Sequence, residues 1–391
     1  MAVYQKKILL KILKDISTIG IGDIVGSGVA ALFWFYLASI VNPVDYGQIH
    51  YLLSIGTLTS TFTLIGTQNV FTVYIAKNKT VVKTLLSVSV FSGIFILIIC
   101  YFVFDLLNVG LLILGIILFT YGISSNLGKK SFKKFSFFTI LQKSLTVVFA
   151  LVGYHYFGID GVIYGIALSY FVYLKNVIED LRFNSLNYNE LKFHICELKI
   201  NKNFILTNYF WMLTNGVTNQ VDKILIVPIL GLAILGNYSL ALQLLTVLTA
   251  TSGIIFKFLV PHAVDGEINK KLKQITILSS FGLAFLGIVV VPILIPIFFE
   301  KYTNVIDIIQ IMSLSVIPIT INLFYYAKFL ASENGKVPLY AGIISSSIMT
   351  VGMLSLGSLF EAKGIAITHV IAYSTVCPFL YYMNKKLENS H

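Results

Sequence analysis

The chain has 391 residues, of which 57% are hydrophobic and only 12% are charged, and its mean hydropathy is +0.86. Soluble domains carry about 25% charged residues, so no soluble fold would cover this much apolar surface with so few charges. The net charge of +11 comes from lysines in loops. Basic residues in loops set the topology of a membrane protein, so this charge does not require nucleic acid as a partner. The three cysteines show no CxxC spacing and predict neither a disulfide framework nor a metal site. Together these features predict an integral membrane protein.

Twelve apolar runs along the chain are long enough to cross a bilayer, which takes about 20 residues each. Turn-forming residues such as Asn42-Pro43, Asn78 and Gly158 separate these runs. The pattern predicts an all-α polytopic membrane protein, with its longest connection at about 181–202. The predicted spans are 16–41, 46–76, 84–107, 109–127, 135–157, 161–180, 203–229, 232–260, 274–299, 303–330, 337–359 and 364–384.

The positions of the basic residues predict the orientation of the spans. With the N-terminus in the cytoplasm, 24 of the 28 basic residues fall in cytoplasmic segments. Only Lys301 and Lys363 fall outside, and Lys143 and Lys223 lie within spans. Because short cytoplasmic loops are enriched in Lys and Arg, we expect a multi-pass protein of the cytoplasmic membrane with both termini in the cytoplasm.

Two short matches indicate an internal repeat of six spans. Phe157-Gly-Ile-Asp-Gly161 resembles Phe360-Glu-Ala-Lys-Gly364, and Asn42-Pro-Val-Asp-Tyr-Gly47 resembles Gly231-Leu-Ala-Ile-Leu-Gly236. An even number of spans per half makes the halves parallel, related by a pseudo-twofold axis along the membrane normal. We therefore expect a six-helix bundle at 1–180, a cytoplasmic linker at 181–202 and a second six-helix bundle at 203–391.

Three segments of the sequence resemble a transporter family. Asn42-Pro-Val-Asp-Tyr-Gly-Gln48 is similar to the xGPxxYG turn of the polysaccharide (O-antigen type) repeat-unit flippases, which belong to the multidrug/oligosaccharidyl-lipid/polysaccharide exporter superfamily. Asn219-Gln-Val-Asp-Lys-Ile-Leu-Ile226 followed by Leu235-Gly-Asn-Tyr-Ser-Leu-Ala241 resembles the family's xxxIDxxILxxxL…xGxYxxA stretch. The chain is somewhat short for the family, and Gly231 stands where the family usually has proline.

The resemblance implies that the protein moves a polyprenyl-pyrophosphate-linked oligosaccharide across the cytoplasmic membrane by alternating access, for polysaccharide biosynthesis in the cell envelope. The implied partners are this lipid-linked oligosaccharide, membrane lipids and, for coupling, H⁺ or Na⁺. A cation-coupled multidrug exporter of the same superfamily is the first alternative. A membrane-embedded glycosyl transferase or polymerase is the second.

Ionisable residues within spans are the candidate site residues, because they are costly in a membrane and usually face protein or water. Lys143, in the fifth span, is either a cation that attracts an anionic head group or the structural partner of a carboxylate such as Asp23. Asp222 and Lys223 end a polar stripe that includes Asn219, where they either bind substrate or a coupling ion or form an interhelical ion pair.

Further polar residues within spans are weaker candidates for the cavity. Asp23 lies among four glycines, which either bend the first helix or pack it closely against a neighbour. Asn69 is a candidate for lining the cavity. Polar residues in such positions more often form an interhelical hydrogen bond than bind a ligand, and this applies to Gln68, Asn322 and His369. No P-loop, HExxH or GxSxG motif is present, so we expect no bound cofactor or metal and no enzyme activity.

Overall fold

The computed structural model describes residues 2–181, 188–264, 270–302, 304–331 and 336–388. These ranges form α-helices joined by short turns and contain no strands. The helices are α1 Ala2–Ile40, α2 Pro43–Thr63, α3 Gln68–Ala76, α4 Val81–Phe104, α5 Leu107–Gly128, α6 Phe132–Tyr170, α7 Leu174–Leu181, α8 Tyr188–Leu230, α9 Leu232–Val264, α10 Lys270–Phe298, α11 Val305–Ser313, α12 Val316–Ala331, α13 Lys336–Gly352 and α14 Ser358–Glu388.

Seven helical segments in the described part of the chain are long and apolar enough to cross a membrane. Two bent pairs, α2 with α3 at 44° and α11 with α12 at 43°, would each add one span. Two of the seven segments, of 49 and 52 residues, are about twice the length that a single crossing needs. Each of the twelve predicted spans overlaps a described helix, although 46–76 and 303–330 are each broken into two helices, and the predicted all-α polytopic membrane fold is confirmed.

The exposed side chains of the helices are those of a membrane protein. On α4, Phe91 is 72% and Phe102 is 78% exposed, and on α10 Leu278 is 73% exposed. Soluble helices bury their apolar stripe and expose charges. The most apolar helices of this chain instead turn large aromatic and aliphatic side chains outward, which is stable only against hydrocarbon.

Each of the two double-length segments reverses at a tight turn that belongs to the predicted repeat. We call residues 157–161 the α6 turn and residues 360–364 the α14 turn. Gly158 has φ 60° and ψ −137°, and Glu361 has φ 51° and ψ −129°. Both residues have the conformation of the first central residue of a type II′ turn. The sequence match between the two turns is therefore also a match of backbone conformation.

The described residues form two compact units. Unit 1 comprises Met1–Phe33 and Leu52–Gly216, and unit 2 comprises Trp34–Tyr51 and Val217–His391. The boundaries between the units fall inside α1, α2 and α8. Of the predicted linker at 181–202, residues 182–187 lie outside the described residues and 188–202 form the beginning of α8.

In unit 2, the second predicted repeat match is a direct contact between equivalent residues. A Cβ atom at Gly47 would collide with the carbonyl oxygen of Leu232, and a Cβ atom at Gly236 would collide with that of Pro43. Gly47 is equivalent to Gly236 in the match, and Pro43 is equivalent to Leu232. This reciprocity is the signature of a local twofold axis between the two segments.

Candidate functional site: a polar cavity in unit 2 and a half-buried lysine in unit 1

Unit 2 contains a cavity of about 250 Å³ that brings together three of the predicted site residues, Asn219, Asp222 and Lys223. The polar stripe of α8 forms one wall, and α9, α13, α14 and the beginning of α2 form the others. The remaining lining residues are His50, Thr218, Gln220, Ser239, Leu242, Gln243, Thr246, Ser345, Met349, His369 and Tyr373.

Asp222 is buried, with both carboxylate oxygens accepting hydrogen bonds. Oδ2 accepts one from the Tyr238 hydroxyl of α9 at 2.8 Å, and Oδ1 accepts one from the backbone N–H of Lys223 at 2.8 Å. Asp222 and Tyr238 are 6% and 0% exposed. A buried carboxylate is stable only when it is paired or hydrogen-bonded, and here a fully buried tyrosine supplies the contact between helices.

The Lys223 side chain stays on its own helix. Its Nζ donates to the backbone carbonyl of Asn219 and to Oε1 of Gln220, both at 3.2 Å. The interhelical ion pair considered as an alternative for this residue is not formed among the described residues. The ammonium therefore borders the cavity with neutral oxygen partners.

Two further residues of the cavity, His50 and Ser239, were not identified as candidates from the sequence. Ser239 lies inside the Leu235–Ala241 stretch that carries the family resemblance, and His50 is an ionisable residue within the second predicted span. A search for every ionisable residue in a span would have found His50. Ser239 carries no such signal, because a serine in an apolar helix most often bonds to its own backbone.

Lys143 lies in unit 1, about 17 Å along α6 from Phe132 at 1.5 Å per residue. Its stem packs near Gly26 of α1, where a Cβ atom would be 3.6 Å from the Lys143 Cγ. Gly22, one turn earlier in α1, lies even closer to α6, because a Cβ atom there would be 2.7 Å from the Ser136 Oγ. The half-buried Lys143 forms no hydrogen bond or ion pair with any described residue, Asp23 included. Two of the four glycines thus pack α1 against α6.

The other predicted candidates are dispersed. Asn69 is exposed in the first turn of α3, in unit 1. Asn322 is buried and donates to the carbonyl of Tyr373 at 3.0 Å, an interhelical hydrogen bond of the expected kind. Within the described residues, no group of three His, Cys, Asp or Glu side chains is placed to hold a metal ion.

The two units differ in what they can bind. Among the described residues, no carboxylate lies within bonding distance of the half-buried Lys143 ammonium, so unit 1 carries an uncompensated positive charge near the middle of a predicted span. The cavity of unit 2 contains one carboxylate and one ammonium, so its formal charge is balanced.

Comparison with known proteins identifies the fold. No family profile and no curated protein sequence matches this chain. The structure is similar to the lipid II flippase MurJ in an inward closed conformation, with a TM-score of 0.73 at 15% identity over 94% of this chain and 87% of that one.

Two multidrug transporters share the same fold. An inward-facing MATE family transporter of the MOP superfamily has a TM-score of 0.65 at 14% identity, covering 96% of this chain and 98% of that one. A mutant of the Vibrio cholerae MATE transporter VcmN has a TM-score of 0.58 at 11% identity, also covering 96% and 98%. The chain therefore shares its all-helical fold with these membrane transporters.

Proposed function

We propose that the protein is a flippase that moves a polyprenyl-pyrophosphate-linked oligosaccharide across the cytoplasmic membrane for polysaccharide biosynthesis. The observation that carries the proposal is the Lys143 ammonium, which lies within a predicted membrane span and has no hydrogen-bond or ion-pair partner among the described residues. An ammonium in hydrocarbon is costly by roughly 2.5–3.5 kcal/mol, so an uncompensated one indicates an anionic ligand or a wet path. A pyrophosphate head group is such a ligand.

The sequence and the fold support this assignment. Three segments of the chain resemble polysaccharide flippase motifs, and the structure is similar to that of a lipid II flippase. Transport would proceed by alternating access of two six-helix bundles, 1–180 and 203–391, in a chain with cytoplasmic termini. Reporter fusions at Lys130 and Lys192 should then report cytoplasm, and fusions at Asp160 and Lys363 should report the outside.

Transport assays with Lys143 variants test the proposed function. The protein would be reconstituted with a fluorescent undecaprenyl-pyrophosphate-linked sugar, and outer-leaflet probe would be quenched with dithionite. Lys143→Ala should reduce flipping by roughly 10- to 100-fold, the loss expected for a charged hydrogen bond of about 1.5–3 kcal/mol. Lys143→Arg should retain part of the activity, because it keeps the charge.

The matched control is Lys133→Ala, which removes the same charge from an exposed position near the beginning of α6. Because Lys143 forms no ion pair with the part of the chain that the structure describes, the Lys143→Ala protein should insert and express like the wild type. Full flipping by a well-expressed Lys143→Ala protein would contradict the proposal.

The cation-coupled multidrug exporter is the alternative that the buried Asp222 favours. In that case Asp222→Asn would abolish efflux of a cationic dye driven by a proton or sodium gradient, and Lys143→Ala would leave dye efflux intact. Dye efflux without lipid flipping would decide for this alternative.

A further inference from the structure

Lysines and tyrosines form three pairs at the end of unit 2 where α12 ends, α13 begins and α14 ends. The helices meet there around the buried residues Phe329, Val337 and Leu380. The pairs are Lys336 with Tyr340 on α13, and Lys385 with Tyr381 and Lys386 with Tyr382 on α14. Residues four apart share one face of a helix, so each lysine lies one turn nearer the helix end than its tyrosine.

These six side chains face outward and have no bonding partner in the part of the chain that the structure describes. Tyr340, Tyr381 and Tyr382 are 52%, 58% and 65% exposed, and the three lysines are exposed as well. None of the six forms a hydrogen bond or an ion pair with a described residue. Their ammonium and hydroxyl groups are therefore available to a ligand.

The positive charge at this end of unit 2 is not compensated by any side chain that the structure describes. The carboxylates of unit 2 with described side chains are Asp45, Asp222, Glu300, Asp307 and Glu361. Asp222 borders the cavity, and the other four lie at the opposite end of the unit, where α10 ends and α2, α11 and α14 begin. The end with the three pairs therefore attracts an anionic partner.

The position of the pairs relative to the predicted spans indicates that this partner is a lipid. Lys336 directly precedes the predicted span 337–359, and Lys385 and Lys386 directly follow the predicted span 364–384. The three tyrosines lie just inside these spans, where tyrosine typically marks the membrane interface. A dissolved anion or an acidic protein would contact the lysines only. A lipid contacts the lysines with its head group and the tyrosine rings with its chains.

An apolar groove between α13 and α14 continues from the pairs toward the middle of the bilayer. It has a volume of about 330 Å³, and its walls include Ser347 and Val351 of α13 and Ile371 of α14. Positions seven or eleven apart share a helix face, which places Tyr340 in line with the α13 wall and Tyr382 in line with the α14 wall. Ser347 is about 10 Å beyond Tyr340 along the helix, within the roughly 15 Å that the chains of one leaflet span.

We infer that these three pairs, which we call the Lys–Tyr surface, are a binding site for an anionic phospholipid of the cytoplasmic leaflet. The lysine ammonium groups and the tyrosine hydroxyls bind the phosphate, and the chains cover the tyrosine rings and enter the groove. The inference goes beyond the proposed function, because it holds for any transported substrate.

Quenching of a reporter tryptophan by brominated lipids tests the inference in proteoliposomes. Trp34 and Trp211 are replaced by Phe, and Tyr340→Trp places the one remaining indole on the Lys–Tyr surface. The bilayer contains phosphatidylglycerol and phosphatidylcholine in equal amounts, and only one of the two is brominated. Because each lysine near a membrane surface enriches anionic lipid about 5-fold, brominated phosphatidylglycerol should quench this reporter more strongly than brominated phosphatidylcholine does.

Variants in the reporter protein identify the groups that hold the lipid. Changing Lys336, Lys385 and Lys386 together to Gln should abolish the preference for phosphatidylglycerol, and the melting temperature in detergent should stay the same because no ion pair is lost. Tyr382→Phe, which keeps the ring and loses the hydroxyl, should lower the preference about 2-fold or more.

Two controls separate this surface from the rest of the molecule. Lys175→Gln removes an exposed lysine that is already paired with Glu179 at 3.8 Å, so the preference at the Tyr340→Trp reporter should be unchanged. A second reporter, Phe102→Trp, lies on the lipid-exposed face of α4 next to Asp105 and should show no preference for phosphatidylglycerol.

Three results would overturn the inference: equal quenching of the Tyr340→Trp reporter by the two brominated lipids, a preference that persists in the triple Gln variant, or the same preference at Phe102→Trp. The assay involves no transport, so its outcome is separate from that of the flippase proposal.

Discussion

The α6 turn and the α14 turn have the same backbone conformation at their positive-φ residue, but their residues differ at three of the five positions. Each turn begins with Phe and ends with Gly, and each has its positive-φ residue second, Gly158 in one and Glu361 in the other. A Cβ atom at Gly161 would collide with the carbonyl oxygen of Gly153, and one at Gly364 with that of Leu356. Both turns therefore close the same tight crossing of two helices.

The fourth residue of each turn contacts a neighbouring helix, but this residue is negatively charged in the α6 turn and positively charged in the α14 turn. Asp160 accepts a hydrogen bond from the Asn108 amide of α5 at 2.8 Å. Lys363 forms an ion pair of 3.0 Å with Asp307 of α11. Asn108 and Asp307 both lie in the first turn of their helices. Both halves thus have a contact at this place, but it is a hydrogen bond to an amide in the first half and an ion pair in the second.

The crossings behind the two turns also differ. In α6, Gly153 and Gly161 face each other reciprocally. The residue equivalent to Gly153 is Leu356, and it lies in a short π-helical turn, Met353–Gly357. A π-turn is wider than an α-turn. In the first half, two glycines allow the two helices to approach closely. In the second half, a local change of helix geometry accompanies the same close approach. Backbone requirements are shared by the halves more strictly than side chains are.

The largest expected effect is on the crossings themselves. Gly161→Ala and Gly364→Ala place a methyl group against a backbone carbonyl, which cannot move as a flexible side chain can. Each should destabilise the protein by about 1–3 kcal/mol through overpacking. Thermal unfolding of the purified protein measures this effect. Gly282→Ala, where no atom lies within 4 Å, is the control and should be neutral or stabilising. Wild-type stability in both variants would show that the crossings are looser than described.

Substitutions at the two positive-φ residues should change the stability of the protein in opposite directions. Gly158→Ala should destabilise the α6 turn by about 1–3 kcal/mol, because a residue with a Cβ atom is strained at φ 60° and ψ −137°. Glu361→Gly should stabilise the α14 turn by about 1 kcal/mol, because Glu361 carries that strain already. The two melting temperatures should move in opposite directions. A fall in both would mean that the Glu361 side chain has a compensating role.

The smallest effect is expected for the contacts of the fourth residues. Lys363 and Asp307 are more than half exposed, so Lys363→Ala should cost at most about 1 kcal/mol, and less at high salt. Lys363→Asp should cost more, because it faces Asp307 with a like charge. Adding Asp307→Lys to Lys363→Asp should restore the original stability, measured as the melting temperature of single and double variants. A double variant as unstable as Lys363→Asp would show that the ion pair does not set this contact.

Local properties of the chain were predictable from the sequence because hydrophobicity and turn chemistry act within a few residues. The twelve spans follow from apolar runs of sufficient length, and the α6 and α14 turns were found because Phe and Gly recur at the same spacing. The break between α2 and α3 was not predicted, because it occurs at 64–67 in an apolar stretch without proline. The break between α11 and α12 at 314–315 is marked in the sequence by Pro318, because proline lacks an N–H and its ring clashes with the carbonyl four residues earlier, that of Leu314.

Which side chains contact each other was decided by the tertiary structure. The sequence placed Lys143, Asp222 and Lys223 within spans, but whether a described residue pairs with Lys143 depends on which helix faces α6. The hydrogen bond from Tyr238 to Asp222 depends on the register of α9 against α8. His50, Ser239 and His369 share a cavity although up to 319 positions separate them in the chain. Helix packing brings residues that are this far apart in the chain together, and no local sequence pattern predicts their proximity.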